Sequence, residues 1–161
     1  MSTPPALCFG DLFVGVNEAA DANNLSDLEK KHIPFIEARE RVRKGECFEV
    51  RVQVGKLLEH PNEYRHFIQF VELYADKTFL ARVDLTAVRV CPKVVFCISL
   101  QHPVKELRAY GNCNLHGTWM DRKPIAVIDN MLPRQDVPVV QKQVGVEIPR
   151  RKESFHEPNS A

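Results

Sequence analysis

Long apolar runs, an excess of charge of one sign and paired cysteines are all missing from this chain. No stretch approaches the ~18 apolar residues of a membrane-spanning helix, which removes that class. The 22 basic and 21 acidic side chains nearly cancel to a net +1, so the basic excess of a nucleic-acid binder is absent. The apolar patch at 12–16 has no Lys or Arg before it, as a signal peptide requires, and the expectation is a cytoplasmic protein. Five cysteines stand at 8, 47, 91, 97 and 113, an odd number without a C-x-x-C pair. That argues against a disulfide framework and against a zinc-ribbon or rubredoxin-like site. There is no internal repeat, and 161 residues suit one domain with tails.

What is present is mostly β-pattern. Residues 1–24 carry a Pro pair and several Asn and read as an arm. Ser26, with Glu29 three residues on, predicts a short capped helical turn that Pro34 stops. From Cys47 the period becomes two: Phe48, Val50, Val52 and Val54 alternate with Glu49, Arg51 and Gln53. Further strands are predicted at 67–73, 78–83, 86–90, 94–100 and 106–110. Strands at such regular spacing predict an all-β fold, an immunoglobulin-like antiparallel β-sandwich with irregular N- and C-terminal extensions. The domain is expected over 25–119. Residues 120–161 form a Pro-rich extension in which 125–128 and 137–140 could pair at a sheet edge or reach a neighbouring subunit.

Three features stand out among the six histidines. His60 and His66 straddle a Pro-Asn turn, which can bring both rings to one end of a sandwich. Cys113 and His116 share the loop Gly111-Asn112-Cys113-Asn114-Leu115-His116-Gly117, whose flanking glycines let the backbone fold around a bound atom. His32 lies in a Pro-terminated segment outside the strands. A single histidine near a turn is usually just solvated and a single cysteine usually core. A polar Asn-Cys-Asn loop is nevertheless a poor place for a structural thiol, and together the five residues predict a metal site. His102 and His156 are read as solvated, and Cys47, Cys91 and Cys97, in or beside strands, as buried thiols.

Four blocks, Lys31-His32-Ile33-Pro34, Gly55…His60-Pro61, His66-Phe67-Ile68 and Cys113-Asn114-Leu115-His116-Gly117-Thr118-Trp119, resemble the superoxide reductase family in the family's order. Its members are also called neelaredoxins, or the iron domain of desulfoferrodoxins. The resemblance covers about residues 29–119. It implies one non-haem iron per chain, cycling between Fe2+ and Fe3+, with His32, His60, His66 and His116 equatorial and the Cys113 thiolate axial. It implies one-electron reduction of superoxide to hydrogen peroxide at the sixth, open position. Lys31 matches a lysine that attracts the superoxide anion and orders water for protonation. A rubredoxin-like electron donor and a homo-oligomer, dimer or tetramer, are further implications. Cys8 alone cannot build the second, four-cysteine iron site of longer members, so a one-iron form is expected. Trp119 is expected to pack the mouth of the sandwich.

One position departs from the family pattern. The family places a glutamate just before the lysine, where it caps the ferric iron; Lys30 stands there in this chain, with Glu29 one residue earlier. Either water or hydroxide caps the ferric state, or Glu29 reaches in through a shifted loop. A rival reading takes Cys113, His116, Met120 and an upstream histidine as the ligand loop of a blue-copper-like electron-transfer protein, also a β-sandwich. It leaves His32 and His60 without a role. Zinc, which prefers four tetrahedral ligands, fits five candidates less well.

Overall fold

The computed structural model describes residues 14–129. Cys8, His156 and the 137–140 segment lie outside the described residues. Ten strands and one helix follow in chain order: β1 (Val16–Asn17), α1 (Asp27–His32), β2 (Pro34–Glu37), β3 (Arg41–Arg43), β4 (Cys47–Val54), β5 (Ile68–Ala75), β6 (Thr78–Asp84), β7 (Lys93–Ser99), β8 (Glu106–Cys113), β9 (Gly117–Pro124) and β10 (Ala126–Ile128). A five-stranded sheet has the order β1-β9-β8-β5-β6, a three-stranded sheet the order β2-β4-β7, and β10 pairs with β3. Among the described residues no helix is long and apolar enough to cross a membrane.

The period-two pattern produces the layers. On β4 the side chains of Phe48, Val50, Val52 and Val54 turn inward, and on β7 Val94 and Phe96 do the same. Val71 and Leu73 of β5 and Leu107 and Ala109 of β8 meet them from the other sheet in one core cluster. Val50, Val52, Val71, Leu73 and Leu107 are wholly buried, each stabilising the fold by roughly 1.5–3 kcal/mol of apolar transfer. The fold is an all-β sandwich. Two of its pairings are parallel rather than antiparallel, β1 with β9 and β10 with β3.

Several expectations change. Residues 86–90 form a turn instead of a strand: Thr86 C=O accepts from the N–H groups of Arg89 and Val90, and Val88 sits at φ 66°. The chain must leave β6 there to enter β7 of the other sheet, and a β-branched residue in the left-handed region costs on the order of 1–2 kcal/mol. The Asn62 side chain compensates by accepting from Val88 N–H at 2.8 Å and donating to Val90 C=O at 3.2 Å. Cys47, Cys91 and Cys97 are exposed, not buried. The alternation that turns Phe48 and Phe96 inward turns Cys47 and Cys97 outward, and Cys91 occupies the turn before β7. The strand through Trp119 continues to Pro124, and residues 126–128 pair with β3.

Candidate metal centre

Each candidate ligand is delivered by a different local device. Ser26 caps α1: its Oγ accepts from Glu29 N–H, while Glu29 Oε2 accepts from Ser26 N–H and Ser26 Oγ–H, both at 2.6 Å. This capping box starts a helix of six residues, and Pro34, which cannot continue it, opens β2. The last helical residue is His32, whose Nδ1–H donates to Leu28 C=O at 2.6 Å. His60 follows a turn made by Gly55 at φ 78°, where a Cβ would fall 2.6 Å from His60 N. Its Nδ1–H donates to Pro61 C=O at 2.6 Å. With their Nδ1 protons engaged, His32 and His60 present bare Nε2 atoms to the interior, as metal ligation requires.

Cys113 is the last residue of β8, not a loop residue, and Gly117, directly opposite, opens β9. The tight turn between them carries His116. Its Nδ1 lies 3.0 Å from His32 Nε2 and 3.5 Å from Cys113 Sγ, so the nitrogen facing the interior is Nδ1 here. His66 stands just before β5, and its Nε2 is the one buried side-chain nitrogen or oxygen without a hydrogen-bond partner among the described residues.

The four rings close a square. Neighbours His32–His60, His60–His66, His66–His116 and His116–His32 have centroids 4.7, 4.7, 4.8 and 4.7 Å apart and meet edge-on. Across the diagonal His32 and His66 are 6.2 Å apart. Donor atoms of His32, His60, His66 and Cys113 all lie within 4.8 Å of one another, and His116 Nδ1 joins them at the distances above. All five sequence-predicted ligands therefore meet at one end of the sandwich.

The electrostatics favour neutral imidazoles. Burial lowers the pKa of His32 from 6.5 to about 3 and that of His60 to about 4. His66 and His116 are also lowered, by burial first, and Lys31 adds to the effect on His60, His66 and His116. The Lys31 charge is therefore felt inside the square. Burial raises the Cys113 thiol, while the backbone N–H groups of Leu115 and His116 pull it down. A bound cation would complete its deprotonation. Imidazoles with one thiolate suit iron, copper or zinc, and a buried Nε2 without a hydrogen-bond partner among the described residues, set in a cluster of donors, suits a cation. The residues present fit the metal.

Other residues take different places. Glu29 is buried with both carboxylate oxygens occupied, Oε1 by Ala20 N–H at 2.8 Å and Oε2 by Ser26. Met120 follows Trp119 on β9 and by strand alternation lies on the opposite face. Trp119, wholly buried, stacks on His32 and donates Nε1–H to His116 C=O at 2.8 Å. His102 is exposed, as expected. Sequence reasoning missed Asn62 and Asn114; their partners are 26 or more residues away, so no local pattern announces them.

A β-sandwich with a square of imidazoles and a thiol at one end defines a non-haem metalloprotein. Residues 24–122 match the family model described as Desulfoferrodoxin. A putative superoxide reductase of Methanocaldococcus jannaschii is 40% identical over 116 residues, 70% of this chain and 95% of the relative. The superoxide reductase of Pyrococcus furiosus is 35% identical over 108 residues, 56% of this chain and 84% of the relative. The solved structure of the superoxide reductase (neelaredoxin) from Ignicoccus hospitalis aligns with a TM-score of 0.62 at 35% identity, covering 76% of this chain and all of that one. The chain belongs to the desulfoferrodoxin family, the superoxide reductases, and is an oxidoreductase of that family. The blue-copper alternative falls: the chain belongs to another family, and His32 and His60, which that reading leaves without a role, lie in the donor cluster.

Proposed function

We propose that this protein reduces superoxide to hydrogen peroxide, taking up one electron and two protons, at one iron per chain held by His32, His60, His66, His116 and Cys113. The observation that carries the reading is the closed square of four imidazoles with the Cys113 sulfur beside it. Bound there, iron supplies a one-electron ferrous–ferric couple, to which a thiolate donates electron density. The chain supplies the rest. Depressed imidazole pKa values favour neutral rings, each with one nitrogen free to bind a metal. Lys31, half-buried next to His32 and without an ion-pair partner among the described residues, draws the anion in and orders water for proton delivery.

Of the two ways to cap the ferric state, water or hydroxide is the better supported. Glu29 would have to give up its bonds to Ala20 and Ser26, and with them the cap of the helix that ends in His32. The electron donor is proposed to be a small rubredoxin-like protein, the working form a dimer or tetramer, and the location the cytoplasm.

Metal content per chain, measured by mass spectrometry on protein from iron-supplemented cells, tests the reading together with superoxide kinetics. About one iron per chain, the number one such donor set can hold, and fast superoxide consumption are expected. Copper in place of iron, or iron-loaded protein that leaves superoxide untouched, would sink it.

A further inference from the structure

His66 differs from the two other histidines that present Nε2. His32 and His60 are each steered by a hydrogen bond from their own Nδ1 to a backbone carbonyl, whereas the His66 ring makes no such bond among the described residues, and its Nε2 is buried. Its residue lies on the long loop between β4 and β5, which crosses from one sheet to the other. Within that loop His66 exchanges two backbone hydrogen bonds with Glu63, at 2.9 and 3.1 Å. Those bonds shape the loop but do not tie it to the rest of the site.

Beyond the β5–β8 ladder, which begins with Ile68 opposite Cys113, a tie is made by Asn114, in the turn between Cys113 and His116. Its Nδ2 donates to Arg65 C=O at 2.8 Å and its Oδ1 accepts from Phe67 N–H at 2.9 Å. Those two peptide groups flank His66 on either side. The backbone N–H of Asn114 adds a bond to Phe67 C=O at 3.2 Å. A single side chain thus uses its donor and its acceptor to straddle one candidate ligand, from a position between two others, Cys113 and His116. A short amide carries its donor and its acceptor on separate atoms at one end, so it can bond a C=O and an N–H of neighbouring peptide groups at once.

We infer that Asn114 is a positioning residue for the metal: it sets the distance between His66 and the Cys113–His116 pair, replacing the ring-nitrogen steering that His32 and His60 have. This rests on the assignment of His66 as a ligand. Loss of an outer hydrogen bond of this kind typically weakens metal binding by about 10–100-fold.

The test is an anaerobic ferrous-iron titration of the full chain against a competing chelator. Quenching of Trp119, the sole tryptophan, reports occupancy. Asn114→Ala is expected to weaken ferrous binding by about 10–100-fold. Asn114→Asp, which keeps the acceptor for Phe67 and loses the donor to Arg65, should weaken it less, and it carries the comparison if the alanine variant is not folded. In a His66→Ala background, Asn114→Ala should add almost nothing, because the residue through which it acts is gone. Iron affinity unchanged in both Asn114 variants, with His66→Ala impaired, overturns the inference. So does a full further loss in the His66→Ala background, which would place the effect in the Cys113–His116 turn. Undiminished iron binding by His66→Ala itself overturns the ligand assignment and this inference with it.

Discussion

The indole of Trp119 lies over the ring of His32 with centroids 5.3 Å apart and planes 27° from parallel. The same side chain bonds the His116 carbonyl, so one buried residue supports two corners of the square. Around it Ile33, Leu25, Leu28 and Ala19 form a second apolar cluster beneath the site. Trp119→Ala is expected to cost about 3–5 kcal/mol of stability, as buried aromatic truncations do. Trp119→Phe should keep much of the packing and lose the bond to His116, costing about 1–3 kcal/mol for the carbonyl left without its donor. Urea melts of the two variants give the comparison; a Trp119→Phe variant as stable as the parent would mean that the hydrogen bond contributes nothing.

Stability of the metal-free protein should fall as pH drops below 6.5. His32 and His60 stay neutral in the folded state until about pH 3 and about pH 4, whereas in the unfolded chain both take up protons near 6.5. Between those values the unfolded state binds more protons, so acid favours it, by up to about 1.4 kcal/mol per pH unit for each ring. The loss levels off once the folded rings are protonated too. Urea melts at a series of pH values from 7 to 4 measure the slope. A flat profile would show that the rings are not held neutral by burial.

Replacing Lys31 should slow capture of superoxide without emptying the metal site. Its charge already opposes protonation of His60, His66 and His116, the mark of a positive potential at the square. Lys31→Ala is expected to lower the second-order rate by up to about 10-fold and Lys31→Arg to retain most of it, with a weaker salt dependence in the alanine variant. Pulse radiolysis of iron-loaded protein at two ionic strengths reads this out. A rate and salt response identical to the parent's would return Lys31 to the solvated surface.

Glu29 offers a sharper choice. As the reciprocal partner of Ser26 and the acceptor for Ala20, its loss should destabilise the protein by about 1–2 kcal/mol. If water or hydroxide caps the ferric state, Glu29→Ala leaves the ferric optical spectrum and its pH dependence unchanged while the melting temperature drops. A spectrum that changes would restore Glu29 as the cap and require α1 to open in the oxidised protein.

Much of this was legible locally. The alternation of Phe48, Val50, Val52 and Val54 needs only a pleated strand with one wet face, and the observed strand buries those four. Ser26 and Glu29 announce a helix start because a capping box is satisfied within one turn. The five metal-ligand candidates were identifiable because their residue types and spacings are scarce in combination. The same alternation placed Cys47 and Cys97 outward, where residue type alone had suggested burial.

Other features depend on chain segments that meet only after folding. Residues 86–90 have a strand's composition, yet they lie where the chain changes sheets, and Asn62 rewards a turn there. Strand β3 and the parallel pairing of β10 exist because each completes the other's ladder, over a separation no local pattern spans. Asn114 stands in one turn and its two partners stand in another loop, some fifty residues earlier. Residue chemistry, written in the chain itself, selects which side chains can hold a metal. Their distances and the neutrality of their rings arise only when the packed sheets bring the loops together and remove the water between them.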